Sequence, residues 1–283
     1  MIVVTGASGQ LGRLVIDSLL THIPADQIVA AVRNPERVAD LAALGVQVRQ
    51  ADYNQPATLV SAFAGADKVL LISSSEIGQR VAQHAAVIAA AQQAKVKLLA
   101  YTSLLHADRS PLGLAAEHQQ TEALLRDSGL PVVLLRNGWY TENYLASIPA
   151  ALVHGVLLGS AGEGRIASAT RADYAEAAAT VLTRDAQAGR VYELAGDQAY
   201  TLSELSAELS RQSGQPVRYQ DLPEAEFQAA LLAAGLPAEV ASLLADSDSG
   251  ASRGGLFDDG RQLSSLLGRP TTSLTEAVAE ALR

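Results

Sequence analysis

Short runs of β-branched and aliphatic residues alternate with amphipathic stretches along the first half of the chain. Ile2-Val3-Val4 is followed by Leu11, Val15, Leu19 and Leu20 at helical spacing, which predicts a strand and then a helix. The same order recurs. Strands are predicted at 28–32, 46–51, 68–72, 97–101 and 132–136, with helices between them, among them 79–93 and 112–128. Gly129 and Pro131 stop the last of these helices. Six strands alternating with helices predict an α/β fold built on a doubly wound parallel sheet.

Beyond Pro149 the pattern changes. Gly155, Gly159, Gly162 and Gly164 predict a short hairpin or an irregular connection. An alanine-rich helix follows to about Arg184, then a strand at 191–194. From Thr201 the chain reads as helix, strand (217–219), helix and helix, the first opened by the capping box Thr201-x-x-Glu204. Residues 246–259 have no periodicity and are expected to form a glycine-rich loop, a plain connection rather than a lid. A last amphipathic helix starts near Leu274. The expected division is a nucleotide-binding domain over 1–150 that also takes 165–195, and a smaller interwoven C-terminal α/β lobe over 196–283 with contributions from 139–165.

The turn out of the first strand, Thr5 to Gly12, carries three glycines as Gly-x-x-Gly-x-x-Gly. Gly6 permits a tight turn, Gly9 lets backbone approach a pyrophosphate, and Gly12 lets helix and strand pack closely. A helix N-terminus then faces the anion with unpaired N–H groups. A structural glycine turn is the alternative, but strand before and helix behind favour a Rossmann-type dinucleotide site using Gly6, Ala7, Ser8, Gly9, Gln10 and Leu11. In such units an Asp or Glu about 20 residues past the glycines takes the ribose 2′-hydroxyl, whereas an Arg accommodates a 2′-phosphate. Here Arg33 ends the second strand and no acid stands beside it in the sequence, so NADPH is expected; a solvated surface Arg is the alternative. Ser73, Ser74 and Ser75 end the fourth strand, where ligands of parallel sheets bind.

Composition narrows the chemistry. The chain has 283 residues, 48% of them hydrophobic, a net charge of -9 and no cysteine. Disulfides, thiolate nucleophiles, iron–sulfur clusters and thiolate zinc sites are excluded, and no metal is expected. The charge is spread without a basic block, so nucleic acid is not an expected partner. The most apolar stretch, 85–105, is interrupted by Gln92, Gln93, Lys95 and Lys97, so no membrane span is expected. A first strand at residue 2 leaves no room for a signal peptide, and a cytoplasmic protein is expected. Oligomeric state is not readable.

Arg136-Asn137-Gly138-Trp139-Tyr140-Thr141-Glu142-Asn143-Tyr144 breaks the alternation and holds the only Trp of the chain. It stands where the sixth strand delivers residues to a nicotinamide, and its flat side chains suit a flat substrate; an aromatic structural anchor is the alternative. Most short-chain reductases use Tyr-x-x-x-Lys, with the Lys depressing the Tyr pKa. The lysines here are Lys68, Lys95 and Lys97, none four residues after a Tyr. A resemblance to those enzymes, with the motif's helix laid over 112–128, puts Leu114 in the place of the Tyr and His118 in that of the Lys. Ordinary alcohol dehydrogenation is disfavoured, while reduction of a quinone tolerates the loss because its product anion is delocalised.

The loop TGASGQLG at 5–12 resembles that of the extended and atypical short-chain dehydrogenase/reductases. VRNP at 32–35, QADY at 50–53, LLISSSE at 70–76, YTSLLHAD at 101–108, LRNGWYTENYLAS at 135–147, ASATRADYA at 167–175 and GASRGGLFDD at 250–259 narrow the resemblance to the NmrA-like group and its quinone reductases. It implies flavin-free quinone reduction, with NADPH held by residues 6–11, Arg33, Ser73 to Ser75, Asn137, Gly138, Trp139, Tyr140, Thr141, Glu142 and Arg171. It also puts Asp52 at the adenine edge, although a turn or cap role fits equally. Asn143 is expected to hydrogen-bond a quinone oxygen, with Tyr140 or Trp139 stacking nearby. His118 either donates a proton through water or is a structural histidine, and Ser103 is either a donor or a relic of the superfamily's catalytic Ser. Two other readings remain: a non-catalytic NADP(H)-binding sensor that reports redox state to a protein partner, and a reductase of another flat electron-poor substrate.

Overall fold

The computed structural model describes residues 1–283. Its strands are β1 (Ile2–Thr5), β2 (Ile28–Val32), β3 (Gln47–Gln50), β4 (Lys68–Leu71), β5 (Leu98–Leu104), β6 (Val132–Asn137), β7 (Val156–Gly159), β8 (Val191–Leu194) and β9 (Arg218–Asp221). Between the first six strands lie helices α1 (Gln10–Leu20), α2 (Ala39–Ala43), α3 (Pro56–Ala62), α4 (Arg80–Ala94) and α5 (Ala115–Asp127). The remaining helices are α6 (Thr141–Leu145), α7 (Ile148–His154), α8 (Arg171–Thr183), α9 (Leu202–Ser213), α10 (Glu224–Ala233), α11 (Ala238–Ser252), α12 (Gln262–Leu267) and α13 (Leu274–Ala281).

Seven strands form one sheet in the order β3-β2-β1-β4-β5-β6-β8, and β1 to β6 pair in parallel. Strand order reverses at β1, which lies between β2 and β4, and ligands of open parallel sheets bind outside the carboxyl ends at such a point. Both faces of the sheet are covered, so β1, β2 and β5 are buried throughout and read as continuous apolar runs. At the edge, β3 carries Gln47, Arg49 and Gln50 and is only half-buried, as an edge strand should be. Phe63, Leu59, Tyr101 and Leu125 fill one core cluster, and α8 packs along α1.

The chain divides into two compact units. The first is Met1–Leu104, Ala116–Asn137 and Arg171–Tyr192; the second is Leu105–Ala115, Gly138–Thr170 and Glu193–Arg283. In the second, β7 and β9 make a two-stranded parallel sheet. The expected hairpin after Pro149 is therefore absent: 148–154 is helical, Gly155 closes that helix at φ 66°, and β7 finds its partner far along the chain. Gly159 marks a close approach rather than a turn, because a Cβ there would lie 2.6 Å from Leu202 Cδ1. The capping box at Thr201 and Glu204 forms as predicted, and Ser273 with Glu276 makes another.

The loop expected over 246–259 is also corrected, since 246–252 belongs to α11. Ser247 and Asp248 face inward and are paired: Ser247 Oγ donates to the Leu243 carbonyl at 2.7 Å, and Asp248 accepts hydrogen bonds from Tyr144 Oη at 2.9 Å and the Ser160 N–H at 3.0 Å. Gly250 lies against Leu112, where a Cβ would come within 2.8 Å of Cδ1. A polar, glycine-containing run disguises a buried helix because its hydrophilic groups are satisfied internally.

Candidate functional site

In the first unit the turn after β1 has the shape its glycines predict. Gly6 adopts φ 60°, and the Gly9 N–H donates to its carbonyl at 2.9 Å. A Cβ on Gly9 would stand 3.2 Å from the Gly6 carbonyl oxygen; on Gly12 it would stand 2.4 Å from that oxygen and 2.7 Å from Ala7 Cα. Only glycine fits at position 12. Gly9, the N-cap of α1, gives no side-chain cap to the first-turn N–H groups of this helix of 11 residues. Ser8, Gly9 and Gln10 are exposed there, while Ala7 and Leu11 are buried. This cradle, which a Cβ would fill, fits a dinucleotide pyrophosphate.

Arg33 directly follows β2 with an exposed side chain, but it is not alone. Its Nη1 meets Glu76 Oε1 at 2.9 Å, and Gln83 Nε2 donates to Glu76 Oε2 at 2.6 Å. The sequence shows no acid beside Arg33 because this one arrives from the loop after β4. Asp52 is engaged in a turn ahead of α3: its Oδ1 accepts from the Asn54 N–H at 2.9 Å and its Oδ2 from Gln55 Nε2 at 3.0 Å.

The serine loop is held from beneath. The Ser73 N–H donates to Thr102 Oγ1 and the Ser74 N–H to His84 Nε2, each at 2.9 Å, while Arg80 Nε donates to the Ser74 carbonyl at 2.8 Å. Burial, aided by the Arg80 charge, pushes the His84 pKa down to about 3, so the ring is neutral. Its Nε2 accepts, which puts the proton on Nδ1, 3.0 Å from Thr121 Oγ1. Arg80 in turn pairs with Glu117 at 2.7 Å in a largely buried bridge. Sequence reading missed His84, Arg80 and Glu76; the only local signal was the proximity of 80 and 84 to the serine loop on one helical face.

His118 lies in the interior of the first unit. It is 4% exposed on α5, its Nδ1 lies 2.7 Å from Tyr101 Oη, and burial first, then the charge of Arg80, lowers its pKa to about 3. A buried imidazole bonded to a phenol is an arrangement that a structural histidine adopts. Burial likewise raises the Tyr101 phenol above its ordinary value. Ser103 donates to Glu122 Oε1 at 2.6 Å, and Arg136 holds both oxygens of that carboxylate at 2.9 and 2.7 Å. Its hydroxyl proton is committed to this buried pair. Asn137 ends β6, is 5% exposed, and its Oδ1 is a buried acceptor with no hydrogen-bond partner. Arg171, half-buried, opens α8.

In the second unit the chain after β6 is fixed by its backbone. The Gly138 N–H donates to the Leu194 carbonyl at 2.7 Å, and Tyr140 bridges to Ala169 before α6 begins. Trp139 is buried at 7% exposure, whereas Tyr140, Glu142 and Asn143 are half-buried. Thr141 is buried and its hydroxyl joins a chain to Ser168 Oγ (2.8 Å) and Tyr200 Oη (2.7 Å), beside a cavity of about 330 Å³ within this unit.

A family profile described as NAD(P)H-binding matches residues 6–185, from the glycine turn through α8. The chain belongs to this NAD(P)H-binding family. Among its relatives, quinone oxidoreductase 2 of Escherichia coli K12 is 63% identical over 99% of this chain and 98% of its own length. The crystal structure of an NADPH-dependent quinone oxidoreductase of Escherichia coli complexed with NADPH superposes with a TM-score of 0.98 at 62% identity, covering 100% of both chains. The Citrobacter triphenylmethane reductase complexed with NADP(H) superposes at 0.95 with 40% identity, over 99% of this chain and 100% of that one. No helix is long and apolar enough to cross a membrane.

Proposed function

We propose that this chain is an NADPH-dependent quinone reductase that passes hydride directly from nicotinamide to quinone. The observation that carries the reading is the 63% identity, over nearly the whole of both chains, to quinone oxidoreductase 2. It is supported by the cradle at Gly6, Gly9 and Gly12. When bound, NADPH supplies the hydride. The chain's own residues hold and orient. The turn Ser8-Gly9-Gln10 into α1 binds pyrophosphate, Arg33 takes the 2′-phosphate, Ser73 to Ser75 line the cofactor, and Asn137 supplies an unpaired acceptor suited to an amide N–H. We assign the half-buried Tyr140, the N-cap of α6, and Asn143 within α6 to the quinone, with Asn143 donating to the oxygen that gains charge. His118 has no donor role in this scheme. The reduced quinone collects its proton from water, and the protein acts in the cytoplasm where NADPH is made.

The test is the loss of near-ultraviolet NADPH absorbance by flavin-free protein, with and without a small benzoquinone, repeated with NADH. Quinone-dependent oxidation that favours NADPH supports the reading. Consumption driven by a triphenylmethane dye and not by quinones would move the chain to the chemistry of its Citrobacter relative, and NADPH binding without consumption of any electron acceptor would leave a sensor.

A further inference from the structure

The ion pair between Arg33 and Glu76 places a carboxylate where the cofactor's distinguishing phosphate has to arrive. Arg33 has one side-chain bond described, to Glu76 Oε1 at 2.9 Å, and both side chains are solvent-accessible, 70% and 40% exposed. Glu76 is not a loose surface group. Its second oxygen accepts from Gln83 Nε2 at 2.6 Å, Gln83 is itself 3% exposed, and the same amide reaches Asn54 Oδ1 at 3.2 Å. The Glu76 N–H is bonded to Ser74 Oγ at 3.1 Å. A buried glutamine and the serine loop therefore aim this carboxylate at the guanidinium.

We infer that Glu76 is a cofactor-selectivity residue: it pairs with Arg33 and competes with the 2′-phosphate of NADPH for that guanidinium. The inference rests on the reading that Arg33 is the phosphate partner. An exposed ion pair of this kind is weak and easily exchanged. A dianionic phosphate on Arg33, however, must also tolerate a carboxylate that Gln83 holds nearby, and like charges in one site repel. The unphosphorylated ribose meets the opposite situation, because a carboxylate beside a 2′-hydroxyl accepts its hydrogen bond, as the acid at the end of β2 does in NAD-binding folds. This chain thus brings both determinants to one place, the Arg from β2 and the acid from the β4 loop. Glu76 narrows the preference for NADPH that Arg33 creates.

Binding of adenosine 2′,5′-bisphosphate and of 5′-AMP to the full chain, measured by calorimetry for the parent, Glu76→Gln, Glu76→Ala and Arg33→Ala, separates the possibilities. Both Glu76 variants are expected to bind the bisphosphate about tenfold more tightly than the parent, equivalent to about 1.4 kcal/mol, and to bind 5′-AMP no more tightly. If bisphosphate affinity is unchanged or weaker in both while Arg33→Ala loses it, Glu76 is not a competitor and the inference falls, with the Arg33 reading intact. If Arg33→Ala binds the bisphosphate as well as the parent, the Arg33 reading falls and takes the inference with it.

Discussion

Asp248 offers the sharpest quantitative test of the second unit. Its carboxylate lies in α11, 4% exposed, with Tyr144 and the Ser160 N–H as hydrogen-bond donors and with Asp221, Tyr219 and Tyr200 as the other titratable groups around it. Burial raises its pKa to about 6 from the ordinary 3.8; the two hydrogen bonds oppose the rise and Asp221 adds to it. A tenfold change in acidity is worth about 1.4 kcal/mol, so the difference between folded and unfolded chain comes to about 3 kcal/mol. The sign follows from which state holds the proton. Because the folded value is raised, the folded state binds the proton more tightly; this contribution is complete below about pH 4 and is lost as pH rises through about 6.

Asp248→Asn removes the titration with little change of shape. The amide oxygen can accept from Ser160 while its NH₂ donates to the Tyr144 oxygen, so both neighbours keep a partner. Urea unfolding of both proteins at a series of pH values gives a stability difference in which the other titrating groups cancel. Relative to the Asn variant, the parent should lose about 3 kcal/mol between roughly pH 4 and pH 7. Parallel curves would refute the reasoning, and so would a parent that gains on the variant as pH rises, the pattern of a carboxylate stabilised by its ionised form.

Three further outcomes are expected. Gly12→Ala forces a Cβ to within 2.4 Å of the Gly6 carbonyl oxygen, so it should cost about 1–3 kcal/mol and abolish the thermal upshift that NADPH gives the parent; a normal melting point with an intact upshift would show that the turn is not tightly packed. Asn143→Ala should lower quinone turnover by at least about tenfold with NADPH affinity nearly unchanged, and equal turnover removes the residue from the site. For His118, a folded value depressed to about 3 means that its contribution to stability is present above the unfolded value near 6.5 and is lost as pH falls below it. His118→Gln should therefore reduce acid lability and leave the pH profile of turnover between about pH 5 and 8 unaltered; disappearance of a kinetic pKa in that range would restore the histidine as an acid.

Much of the first unit is legible in the sequence because its determinants are local. Strand runs, the glycine turn and the stop at Gly129 each lie within a few residues of the element they define. What escaped reading depends on contacts distant in sequence. Glu76 reaches Arg33 across 43 residues and Asp248 reaches Tyr144 across 104, so neither local charge nor periodicity exposes them. The 246–252 helix was hidden for the same reason, since its buried face carries Ser247, Asp248 and Gly250 rather than aliphatic residues. His118 shows the converse: its sequence position leaves it between proton donor and structural histidine, and the burial and Tyr101 contact that bear on the choice come from elements apart in sequence.

The fate of the acid–base positions constrains what such a scaffold can do. The resemblance puts Leu114 at the place of the phenol and His118 at that of the ammonium, the Tyr101 phenol is pushed above its ordinary pKa, and Ser103 donates to a carboxylate that Arg136 already holds. These residues no longer offer a group poised to exchange a proton near neutral pH, which a carbonyl-to-alcohol reduction needs because an alkoxide is a poor product. A substrate whose reduced anion is delocalised over a ring needs no such group. For it, the remaining means of acceleration is to hold donor and acceptor rings in register, and effective molarities of about 10⁵ M or more are attainable by orientation alone. The proposed quinone chemistry therefore asks of this chain a rigid cofactor cradle and a fixed loop after β6. Both are held by backbone geometry, the cradle by close glycine packing and the loop by the bonds of Gly138 and Thr141 to Leu194 and Ala169.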